Sequence, residues 1–269
     1  MKSSIKRWAG IGLGTAFLAS GLAACGSGYQ SGGHSGAQSP QDNTPPAAQE
    51  RVHAEDMKKS EAENRKGESG EAGSDITILP RPLRLAFMTG HVKAGLALYR
   101  AGAPEMAAPH LLHPVSETHS AERAGLDELG FDASIFETVF QALNAGRPAS
   151  EIEPQLAAAE QHLEHLSIKA GGDHIDIIRF MMETIVEEYA IAITDGQVSD
   201  AGEYQDAYGF ALVARDHAAN IEPELPGLLN ALDALIALWP DGPIPSAAPA
   251  PVGKVMAQTS RVLLTLPAR

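Results

Sequence analysis

The feature that most constrains this chain is the Asp195-Gly196 dipeptide and the two long periodic segments on either side of it. Before it, Asp173 can cap a helix running from His174 to about Thr194. After it, Asp200 and Glu203 repeat the spacing of a capping box, with Asp in place of Ser or Thr, and open a second helix that ends near Asn220. Asp-Gly between two such segments makes a tight turn, so the helices must run back against each other. Aromatic residues are only 5 % of the chain. Small side chains packed between helices suit that composition better than a β-sandwich does.

The flanking segments read the same way. Pro80 and Pro82 introduce a helix to about Arg100, with Leu85, Met88, Val92, Leu96 and Tyr99 spaced by three and four. Gly102-Ala103-Pro104 turns the chain into a short helix from Glu105 to His113, interrupted by Pro109 and stopped by Pro114. Ser134 with Glu137, and Ser150 with Glu153, have capping-box spacing and open the next two helices, the second ending at Gly171-Gly172. Pro223 and Pro226 start a helix with Leu228, Leu232, Leu235 and Trp239 inward. A Pro/Ala linker and a last helix, Val252 to Leu264, follow. No βαβ alternation or hairpin signal is read. The expectation is an all-α bundle of seven to eight helices, with the bundle at 76–240 and the linker and terminal helix at 241–269.

The N-terminus reads as an address. Lys2, Lys6 and Arg7 precede the apolar run Trp8 to Ala24, the pattern of a secretory signal peptide over 1–24. Leu22-Ala23-Ala24-Cys25 resembles the bacterial lipobox, which implies cleavage before Cys25 and lipidation (palmitate) of its thiol. Gly26 in place of Asp implies the outer membrane rather than retention at the inner one. Residues 25–75 are then a lipid-anchored tether, rich in Gly, Ser, Pro and Gln, spanning on the order of 40 Å as a flexible coil. Cys25 is the only cysteine, so no disulfide framework, thiolate cluster or haem attachment motif is available. The formal charge is −14; without Lys2, Lys6 and Arg7, 17 basic residues face 34 acids, or −17. A surface that acidic repels phosphate backbones, which argues against nucleic acid as a partner.

Glu188-Tyr189, Asp195-Gly196, Val198, Asp200, Glu203-Tyr204 and Phe210 resemble a segment of the periplasmic helical domain of bacterial FTR1-type iron permeases. The resemblance implies an envelope helical domain associated with metal uptake, with iron as the metal and a metal transporter or receptor as partner. It does not carry the permease: no Arg-Glu-x-x-Glu motif is present. Imelysin-like iron proteins carry Gly-x-His-x-x-Glu; Gly90-His91 approaches that pattern but lacks the acid.

Eight histidines fall within the helical region, and imidazole suits iron, copper and zinc. The expected metal ligands are His91, the i, i+3 pair His110 and His113 with Glu117 nearby, and the pair His162 and His165 from a facing helix. Met88, Met106, Met181 and Met182 read as core rather than as copper ligands. Asp195, Asp200 and Glu203 are either an oxygen-ligand cation site or caps, and capping accounts for them with less. No nucleophile elbow, His-Glu-x-x-His or phosphate-binding loop occurs, so no enzymatic activity is expected. The other reading is a metal-free helical scaffold lipoprotein that binds another envelope protein.

Overall fold

A computed structural model describes residues 79–116 and 123–268, so the signal peptide, Cys25, the tether and Glu117 lie outside the described residues. Eight α-helices account for most of it. They are α1 (Arg81–Arg100), α2 (Pro104–Leu112), α3 (Ala133–Asn144), α4 (Ala149–Ala170), α5 (His174–Ala192), α6 (Ala201–Ala219), α7 (Leu228–Ile236) and α8 (Val252–Thr265). No described helix is long and apolar enough to cross a membrane.

The core divides into two clusters along the chain. Helices α1–α4 enclose Leu85, Met88, Val92, Leu111, Phe136, Phe140, Leu156 and Leu163. Helices α5–α8 enclose Ile178, Met181, Ile185, Tyr189, Tyr204, Phe210, Leu232, Trp239, Val255 and Val262, and Ala86 and Phe87 of α1 join them. The expected core role of Met88, Met181 and Met182 follows, since each is at most 1 % exposed; Met106, at 43 %, is not a core residue. The segment after α7 is fixed too: Tyr189 donates from its hydroxyl to the Ala250 carbonyl at 2.8 Å.

Helix α6 joins the two clusters. It has almost no solvent face: Glu203 to Ala207, Gly209 to Ala211, Val213, Ala214 and Ala218 are buried. It packs on α5 on one side and on α1 on the other. Close approach to α1 depends on two glycines. A Cβ on Gly209 would lie 2.1 Å from the Gly90 carbonyl oxygen, and one on Gly90 would lie 2.1 Å from Phe210 Cδ1. At such a crossing the backbones touch, and any other residue would force them apart.

Three local expectations need correction. The Asp195-Gly196 turn is a β-hairpin: Ile193–Thr194 (β1) pairs antiparallel with Gln197–Val198 (β2), and Asp195 and Gly196 have φ of 52° and 75°. Positive φ at both central residues matches the right-handed twist of the short strands, which is why Asp-Gly favours this loop. Asp132, not Ser134, caps α3, accepting from the Ser134 amide at 3.0 Å. Pro148 stands at the start of α4, and neither it nor Ser150 caps the helix through a side chain. The caps at Asp173 and Asp200 form as expected, each accepting from the amides two and three residues on.

Candidate metal centre

The glycine contacts that bring α1 onto α6 also set their side chains. Gly90 and Gly209 meet, so His91 of α1 faces Asp206, three residues before Gly209 on α6. Gly95, one turn further along α1, does the same for α2: a Cβ there would lie 2.8 Å from Leu111 Cγ and 3.1 Å from His110 Cβ. His91, His110 and Asp206 therefore meet in the interior, at 1 %, 5 % and 1 % exposure.

Their geometry is tight. Asp206 Oδ1 lies 2.8 Å from His91 Nδ1 and 2.9 Å from His110 Nδ1, and one donor atom from each residue falls within 4.8 Å of the others. Burial alone would raise the Asp206 carboxyl, but His91 and His110 together outweigh it and hold the group well below the usual carboxylate range. An ionised carboxylate this deep needs a compensating cation, either an imidazolium or a metal. Two imidazole nitrogens and one carboxylate oxygen are the donor set of iron(II) sites with open positions, and they suit zinc as well. Donors about 2.1 Å from a metal and about 90° apart stand about 3.0 Å from each other, so those spacings need little change.

The surroundings orient the rings. His110 Nε2 is 2.8 Å from Gln205 Oε1, and Gln205 directs its amide nitrogen to Met106 Sδ at 3.5 Å. An amide oxygen can only accept, so His110 donates from Nε2 to Gln205; Nδ1 faces a second acceptor, the Asp206 carboxylate, and offers a metal its lone pair only on giving up its proton. His113 stacks on His91, ring centroids 3.7 Å apart and 15° from parallel, while Phe87 and Phe210 meet His91 edge-on at 4.8 and 5.3 Å.

One turn before Asp206 on the same helix, Glu203 lies buried with Glu188 of α5. Burial, and then the hydrogen bond and charge of Glu188, push the Glu203 carboxyl far up, so it is protonated at neutral pH. This corrects the expected capping role: Asp200 alone supplies the cap. Beyond it, the Tyr189 and Tyr204 rings pack 5.8 Å apart against Trp239, whose Nε1 donates to the Tyr204 carbonyl at 3.1 Å.

Of the expected ligands, His91 and His110 come together, and His113 lies against His91. The pair His162 and His165 does not join them. His162 accepts from the Asp132 amide at 2.9 Å beside Phe131 and Phe136, and His165 is exposed on α4. Facing helices alone do not make histidines converge; here the glycine-lined crossings decide which do. His174 and His217 meet each other instead, Nδ1 to Nδ1 at 2.8 Å, and burial pushes His217 down to about 4. Sequence reasoning missed Asp206 and Gln205. Their signal was the run of small residues around them, Ala207, Gly209, Ala211 and Ala214, which marks a helix packed on all sides and so makes any acid within it a buried one.

Residues 171–266 match the family model of the iron permease-associated 4-helix bundle domain. The match contains the whole Glu188–Phe210 pattern and the four helices α5–α8. Asp206, Glu188 and Glu203 lie within it, whereas His91 and His110 stand on helices before it. No curated protein and no solved structure matches the chain.

Proposed function

We propose that the chain is a lipid-anchored envelope protein that binds a transition metal, with iron first and copper or zinc as alternatives, and hands it on to a metal transporter. The observation that carries this reading is the convergence of His91, His110 and Asp206 from three helices on one buried point. The match to an iron permease-associated domain supports iron as the cargo. The lipobox at Cys25 supports an anchor in the outer membrane, and the 25–75 tether lets the bundle reach a partner from it. The chain acts as a carrier, with no reaction of its own. Bound iron takes two imidazole nitrogens and one carboxylate, which leaves positions open for exchange with a donor or acceptor.

The test is an anaerobic iron(II) titration of the full-length chain, purified without a histidine tag and stripped of metal. One equivalent binds, and it is lost in Asp206→Asn and in His91→Ala/His110→Ala. A native chain that takes up no iron, or whose uptake is unchanged in Asp206→Asn, contradicts the reading and leaves the metal-free scaffold.

A further inference from the structure

Helices α1, α4, α5 and α6 line a half-open cavity of about 770 Å³ on the other face of α1 from His91. Thr89, Lys93, Ser167 and Asn220 line it, and His174 and His217 stand together in its wall. These two histidines come from opposite helix ends, His174 from the first turn of α5 and His217 from the last turn of α6. Their Nδ1 atoms lie 2.8 Å apart and their ring centroids 5.1 Å apart at 50°.

We propose that His174 and His217 form a second metal site, open to this cavity, which takes a late first-row divalent ion such as copper(II) or zinc(II). Two Nδ1 atoms facing each other across a hydrogen-bond distance can share one proton or one metal ion. A tetrahedral ion with donors at about 2.0–2.1 Å holds them about 3.3 Å apart, so the rings need to open by about half an ångström. Both side chains are half-buried at the cavity wall and have room to do so. The remaining positions on the ion face the cavity and fall to water or to a small ligand.

The charge of the wall favours a cation. Lys93 is held by Asp216 at 2.7 Å and Glu160 at 3.6 Å, and Glu164 adds a third acid, so these four side chains sum to −2. The helix ends offset each other: the positive start of α5 is capped by Asp173, and His217 stands at the negative end of α6. The class of metal follows from the donors. Two neutral nitrogens and no thiolate bind copper(II) and zinc(II) more tightly than iron(II), the order of intrinsic affinity for such sites. This site differs from the interior one in position and in having no carboxylate donor, and does not depend on it.

The test is copper(II) titration of the full-length chain against a chelator weak enough to strip only scattered surface histidines. The native chain retains two equivalents; Asp206→Asn retains one, whose paramagnetic resonance shows coupling to two nitrogens. His174→Ala in the Asp206→Asn chain retains none and loses that signal; His217→Gln, which keeps more of the side-chain volume, does the same and separates ligand loss from misfolding. One equivalent retained in both double variants overturns the proposal, as does a native chain with a single equivalent that Asp206→Asn removes. If His174→Ala lowers the count and Asp206→Asn does not, the cavity site stands and the interior reading falls.

Discussion

The two halves of the bundle solve different problems. Helices α1–α4 bury a core of aliphatic side chains and two phenylalanines and present nitrogen donors; helices α5–α8 bury tyrosines, a tryptophan and three carboxyl groups. Only the second half matches the iron permease-associated domain. By itself that half brings three buried carboxyl groups, Glu188, Glu203 and Asp206, of which only Asp206 meets His91 and His110. Adding α1 and α2 supplies His91 and His110, donors that suit iron and its neighbours. The candidate site is composite, and it exists only because Gly90, Gly95 and Gly209 let helices from both halves touch.

The largest effect should come from breaking that contact. Gly209→Ala places a Cβ 2.1 Å from the Gly90 carbonyl oxygen, so α1 must move off α6. We expect a loss of about 3 kcal/mol in denaturant unfolding, and loss of metal uptake with it. Unchanged stability would show that the two halves do not depend on the glycine crossing. Asp206→Asn tests the electrostatic half of the comparison. It removes the carboxylate and leaves the fold, so iron(II) affinity should fall by at least about 100-fold in a competition titration.

Glu203→Gln sharpens the contrast within α5–α8. The Glu203 carboxyl titrates in the folded chain far above its ordinary value of 4.5, which means that folding holds on to a proton. Stability contributed by that proton is complete below about pH 4.5 and declines as pH rises towards the raised value, by up to about 1.4 kcal/mol per pH unit. Glutamine removes the dependence, so the metal-free variant should melt higher than the native chain at pH 8 and show little difference at pH 4.5. A parallel pH profile for the two proteins would contradict the buried, protonated assignment.

Smaller changes follow at the edges. Gln205→Ala frees the His110 ring to turn, and metal affinity should drop roughly 10-fold, with a loss of about 1–2 kcal/mol in thermal unfolding from the buried ring nitrogen left without its acceptor. Trp239→Phe removes the indole donor to the Tyr204 carbonyl, a cost of about 1 kcal/mol that thermal unfolding would register without any effect on metal.

How much of this was legible in the sequence depends on whether the signal is local. Helix existence, the stop at Gly171-Gly172 and the caps at Asp173 and Asp200 rest on neighbours within four residues and are read directly. The start of α3 shifted because Asp132, two residues ahead of Ser134, offers its carboxylate first. The hairpin at Asp195-Gly196 was missed because strands of two residues carry no period. Site membership is a matter of tertiary contact. His91 and His110 stood out by type and by the glycine beside His91, whereas His162 had the same i, i+3 spacing to His165 and points elsewhere. Asp206 lay in the middle of a helix with nothing local to distinguish it from a solvated acid. Only the crossing of α1 over α6 gives it its role.

The central claim is tested most directly by anomalous scattering from crystals of the full-length chain loaded anaerobically with iron(II). The account predicts a single strong iron peak about 2.0–2.3 Å from His91 Nδ1, His110 Nδ1 and an Asp206 carboxylate oxygen. A peak placed elsewhere, or iron-soaked crystals with no peak and the three side chains unmoved, would contradict it.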